Sequence, residues 1–166
     1  FLEQAFGRVT PFKSAELAIS IGKFDSVFGI EYLENQANFR IGITPSLLAR
    51  YTTGTSTGVK LFYRHQFIAI ASAVSLNASA TNSGTFVESL QGPSRSLAGV
   101  PVATARLGYE LNLARVSLKL CASVERGPRN DQNDREAMQL LFGFDLRLFV
   151  GGLSVLGEYV KVDQEE

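Results

Sequence analysis

Residues 102–125 read VATARLGYELNLARVSLKLCASVE, and their alternation limits what the chain can become. Ala103, Ala105, Leu107, Tyr109, Leu111 and Leu113 take every second position, with Thr104, Arg106, Gly108, Glu110 and Asn112 between them. The pattern resumes with Val116, Leu118, Leu120, Ala122 and Val124 set against Arg115, Ser117, Lys119, Cys121, Ser123 and Glu125. Successive side chains of a strand point to opposite faces, so this period predicts two strands joined by a tight turn at Asn112-Leu113. One face is wholly apolar and the other is charged. The apolar face must meet either a protein core or lipid.

The same period recurs along the chain. Ala15, Leu17, Ile19 and Ile21 oppose Glu16, Ala18, Ser20 and Gly22; Val59, Leu61 and Tyr63 oppose Lys60, Phe62 and Arg64. Ile68, Ile70, Val74 and Leu76 alternate with Ala69, Ala71, Ala73 and Asn77, which predicts one strand across the run FIAIASAVSLNA. Leu140, Phe142, Phe144, Leu146 and Leu148 oppose Gly143, Asp145 and Arg147; Leu153, Val155 and Tyr159 oppose Ser154 and Glu158. With FLEQAFGRV at the start, the count is about eight strands of near ten residues and no convincing helical period. Short links (TPFKS, RHQF, NL, GG) alternate with long ones at Asp25 to Thr55, Thr81 to Val100 and Arg126 to Glu136. All long loops therefore fall at one end of the sheet. Strands of ~9–11 residues with short turns at one end and long loops at the other are the pattern of a transmembrane barrel. The opposing face is small or charged (Gly22, Ala69, Ala71, Gly108, Ser117, Gly143), which suits a wet interior better than a soluble sandwich core. The fold expected is an all-β, antiparallel, up-and-down transmembrane β-barrel segment over residues 1–166.

Composition narrows the function. The 166 residues balance 16 Lys and Arg against 16 Asp and Glu, which argues against a general nucleic-acid binder. The longest uncharged run, about Gln66 to Val87, turns polar at TNSGT, too early for a spanning helix of ~20 apolar residues. The single cysteine, Cys121, excludes an internal disulfide and reads as a small filler. The chain starts at Phe1 and ends in VKVDQEE, without a terminal aromatic residue, and is expected to be a piece of a larger barrel.

The charged face supplies the candidate site. Glu16, Lys60, Arg64, Arg106, Glu110, Arg115, Lys119, Asp145, Arg147 and Glu158 are the expected pore-lining residues. A turn at Asn112-Leu113 places Glu110 opposite Arg115 and Arg106 opposite Lys119; a turn at Gly151-Gly152 places Phe144 opposite Tyr159 and Asp145 opposite Glu158. Like charges facing each other are unfavourable on a dry sheet, whereas a water-filled lumen tolerates them. Phe142, Phe144, Phe149 and Tyr159 are candidates for an aromatic girdle. Asp131 and Asp134 match no Ca²⁺-loop spacing and read as a solvated loop. His65 has no visible Ser or Asp partner, and no nucleophile, phosphate-loop or zinc motif is present, so neither catalysis, metal nor cofactor is expected.

Gly22-Lys23-Phe24, Phe28-Gly29 and Glu31, followed by Thr57-Gly58, form a strand, long loop and returning strand. This run resembles Gram-negative outer-membrane porins of the OmpL-like, phosphate-porin-related group. The resemblance implies a bacterial outer-membrane location and passive diffusion of small hydrophilic solutes or ions. It implies contact with the lipid bilayer and lipopolysaccharide, and a homo-oligomer, with a trimer as the candidate. Two alternatives stay open: a soluble β-barrel holding a small apolar ligand, and a plugged structural or adhesive outer-membrane barrel.

Overall fold

The computed structural model describes residues 5–12, 16–25, 27–29, 55–81, 101–128 and 138–164. Eight strands run in chain order: β1 (Ala5–Val9), β2 (Glu16–Asp25), β3 (Thr55–Phe67), β4 (Ser72–Thr81), β5 (Val102–Leu113), β6 (Val116–Pro128), β7 (Met138–Val150) and β8 (Leu153–Gln164). Each pairs antiparallel with the next in one all-β, up-and-down sheet. The sheet is not closed: β1 and β8 are its edges. Most residues of the three long links, with Glu31, Asp131 and Asp134, lie outside the described residues. Among the described residues no helix is long and apolar enough to cross a membrane.

The short turns explain the registers. Gly151 and Gly152 have φ of +53° and +97°, the positive values that a two-residue hairpin turn demands. The expected pairs Phe144 with Tyr159 and Asp145 with Glu158 both form. The β5–β6 turn instead uses Ala114-Arg115, two residues beyond the expected site. Glu110 consequently pairs with Lys119 and Arg106 with Ser123, and Arg115 leaves the charged face for the turn. Leu113 at a turn position would need a backbone that a bulky side chain resists, whereas as the last strand residue it pairs with Val116.

The run FIAIASAVSLNA is a second correction. RHQF is not a link: β3 continues through Phe67, and Ile68–Ile70 form a 3₁₀ turn closed by Ala71 N–H donating to Ile68 O at 3.3 Å. Ala71 takes a left-handed φ of +47°. Ile68 and Ile70 are thus exposed turn residues rather than strand residues.

The two faces of the sheet are inverted relative to a water-soluble one. Leu107, Phe144 and Tyr159, all large and apolar or aromatic, are exposed on one face, Tyr159 to 64%. Ser20, Asn77, Ser79, Thr104, Arg106, Ser123, Glu125 and Asp145 are buried on the other. Phe144 and Tyr159 pair at mid-strand, and Phe149 takes a polar-face position beside Ser117, so these aromatics form no girdle at one rim.

The polar face is the inside of a curl. Phe28 lies only three residues beyond the end of β2, yet it packs against Leu141 and Gly143 of β7 and Val160 of β8. Five strand steps at ~4.8 Å cover about 24 Å on a flat sheet, and three extended residues reach only ~10 Å. The sheet must bend toward its polar side for this contact to form.

Close backbone approach accompanies the bend near β2 and β3. Gly22 pairs with Gly58, and a Cβ on Gly58 would strike the Ala80 carbonyl oxygen and Thr81 Cα. Gly7 on β1 has open space around its missing Cβ. Gly58→Ala should therefore cost about 1–3 kcal/mol, the usual penalty of overpacking, while Gly7→Ala should cost far less. Urea unfolding midpoints of the two variants check this, and equal midpoints would contradict the packing described.

Candidate functional site on the polar face

Nine of the ten expected residues share the polar face: Glu16, Lys60, Arg64, Arg106, Glu110, Lys119, Asp145, Arg147 and Glu158. Arg115 alone sits elsewhere, in the turn. The nine do not line an evenly solvated wall. Six of them form two groups: a partly exposed chain of four charges nearer the short turns and a sealed pair at mid-sheet.

The chain of charges begins at Glu16 on β2. Arg64 Nε lies 3.7 Å from Glu16 Oε2, and Arg64 Nη2 donates to Glu110 Oε2 at 3.1 Å. Glu110 Oε1 meets Lys119 Nζ at 2.7 Å. Arg64 reaches from β3 to β5 because the intervening β4 offers only Ala73 and Ser75 at this level. Signs alternate from β2 to β6, so Glu110 lies between two cations and Glu16 beside one. Lys119 then faces Arg147 directly, and Asp145 faces Glu158, so like-charge neighbours do occur on this face. All four side chains of the chain keep contact with solvent.

The sealed pair is different in kind. Arg106 Nη1 lies 2.7 Å from Asp145 Oδ2, and Nη2 donates to Oδ1 at 2.9 Å, a two-pronged match of guanidinium to carboxylate. Nη1 also donates to Ser123 Oγ at 2.9 Å, on the strand between them. Asp145 is 1% exposed and Arg106 3%. Nearby, Thr104 Oγ1 donates to the buried Glu125 Oε2 at 2.9 Å. Cys121 is buried beside Gly108, consistent with a small filler. Lys60 Nζ stands 4.8 Å from the Phe24 ring and 5.8 Å from Phe6, a cation over two aromatic faces.

The apolar contact on this otherwise polar face was not legible from alternation. Phe28 rests on Gly143, where an added Cβ would lie 2.7 Å from its ring. Gly143 stands out in the sequence only as a small residue on the charged face; its partner follows from the chain entering the curl. Among the described residues, no three His, Cys, Asp or Glu side chains gather to hold a metal ion.

Removing one member of the sealed pair strands the other. Arg106→Ala should cost about 3–5 kcal/mol, and joint replacement by Arg106→Met and Asp145→Leu should recover most of that loss. A double-mutant cycle on unfolding free energies measures the coupling, and additive losses would show the two groups to be independent. No known protein family matches the chain, and neither a curated protein nor a solved structure does so.

Proposed function

We propose that the chain forms wall of a transmembrane β-barrel in a bacterial outer membrane, and that its polar face borders a path for small hydrophilic solutes or ions. The observation that carries this reading is the inversion of the faces: large apolar side chains exposed, charged and hydroxyl side chains buried. In water such an exterior would drive association, whereas in a bilayer it is the lipid-facing band. The dimensions agree. Ten residues of β6 separate Val116 from Arg126 on the apolar face; at ~3.3 Å per residue and ~40° tilt they span about 25 Å, the height of that band. Lys23, Arg126 and Lys161 stand on the same face near the long-loop ends, where lipopolysaccharide phosphates would meet them.

The polar interior counts against a soluble barrel holding an apolar ligand. A plugged barrel is the second reading, favoured by the sealing of Arg106 and Asp145 and by Phe28 seated inside. Planar-bilayer recording separates the two. The channel reading expects discrete conductance steps, enlarged in Phe28→Ala, which clears a bulky apolar group from the interior. Silence in both proteins, with folding verified by heat-modifiable gel mobility, would favour the plugged barrel.

The lipid-facing assignment has its own test. Leu107 is exposed at mid-strand, opposite Leu76 and Ala122. Leu107→Arg should cost roughly 2–4 kcal/mol in lipid vesicles. Gln66→Arg, on the polar face near the short turns, should cost much less. Equal penalties in folding titrations would refute the orientation.

A further inference from the structure

The end of the sheet that carries the short turns is unusual in what it exposes. Leu113, Val116, Val150 and Leu153 pair in sequence across β5 to β8 and form one apolar row at the rim of the outward face. At the same end of the sheet, Ile68 in the β3–β4 turn is 87% exposed. Bare apolar side chains at the tips of turns need a non-aqueous neighbour.

A cleft of about 580 Å³ opens at this rim between two adjacent turns. Leu113, Ala114, Val116, Phe149, Val150 and Leu153 supply its apolar walls, and among the described residues Arg115 is the only charged one in its lining. No acidic side chain among the described residues lines it. The two turns are tied to each other by Gly151 N–H donating to the Arg115 carbonyl at 3.3 Å, which fixes the spacing of the walls. Gly151 and Gly152 leave open space where side chains would stand. The cleft thus offers one exposed guanidinium, bare backbone and a continuous apolar row running along the rim from β5 to β8.

We propose that this cleft is a binding site for a single anionic phospholipid of the leaflet at the short-turn end, with Arg115 holding the lipid phosphate and the row Leu113, Val116, Val150 and Leu153 receiving its acyl chain. The proposal rests on the membrane reading above. A lone cation with no competing carboxylate complements one phosphate. The apolar row demands that the phosphate be attached to a chain, which selects lipid over free phosphate. A guanidinium at a membrane rim extends to the headgroup level while its stem stays on apolar surface. Sequence alone directs Arg115 to the polar face; the displacement of the turn to Ala114-Arg115 is what brings the cation to the rim.

The test uses the full chain folded into mixed phosphatidylglycerol and phosphatidylcholine bilayers, released into detergent, and weighed with its retained lipids by native mass spectrometry. Wild type should keep phosphatidylglycerol in preference to phosphatidylcholine. Arg115→Gln should lower phosphatidylglycerol retention about five-fold, the worth of one cation at a charged membrane surface, and Arg115→Lys should keep most of it. Equal retention by wild type and Arg115→Gln, both folded by heat-modifiable mobility, would overturn the site while leaving the membrane reading intact. Displacement of the lipid by millimolar inorganic phosphate would overturn it as well, because the apolar row would then contribute nothing. Failure of the wild type to enter either lipid would sink the membrane reading together with the site.

Discussion

The two-pronged contact between Arg106 and Asp145 spans β5 to β7 and takes in Ser123 on the strand between. Such a contact forms only if three strands hold one register. It also sets a cost on every alternative. A slip of one residue turns each of these side chains to the opposite face. A slip of two would preserve the faces but leave a buried charge without its partner. Burial so nearly complete makes that loss expensive, whereas the half-solvated chain from Glu16 to Lys119 could exchange partners at little cost. The sealed pair therefore specifies the register, and the exposed chain decorates it.

The legibility of this fold depends on what each local pattern encodes. Alternation encodes the face, and nine of the ten candidate charged residues stand on the face that their alternation indicates. It does not encode the partner. Moving the β5–β6 turn by two residues shifts every cross-strand partner by four, an even number that leaves the faces unchanged. That is why Arg106 reads naturally as facing Lys119 when it faces Ser123. The β7–β8 hairpin escaped this ambiguity because Gly151-Gly152 is the kind of pair that a turn with positive φ requires. Ala114-Arg115 carries no such mark.

The FIAIA run failed for a related reason. Apolar residues at alternate positions predict a strand, but Ile68 and Ile70 alternate inside a turn, and Ala71 takes the left-handed conformation without being glycine or asparagine. Local propensity and local pattern agree there, yet the chain turns, and Asn112 N–H donates to Ala71 O at 2.8 Å, which ties the turn to β5. The contact of Phe28 with Gly143 lay further out of reach. Nothing in either residue announces the other, since their meeting depends on how far the whole sheet bends.

The unequal edges of the sheet bear on how such a chain could enter a bilayer. Among the described residues β1 contributes five and β8 twelve, so pairing between these two stretches would leave part of β8 uncovered. Unpaired amide and carbonyl groups are tolerated in water and are prohibitive in hydrocarbon. In the bilayer proposed for it, β8 would have to acquire a neighbour before or as it left the aqueous phase. Insertion strand by strand would then be closed to this sheet: the kinetic unit would be the assembled wall with its edges satisfied, and the rate of edge pairing would set the rate of entry.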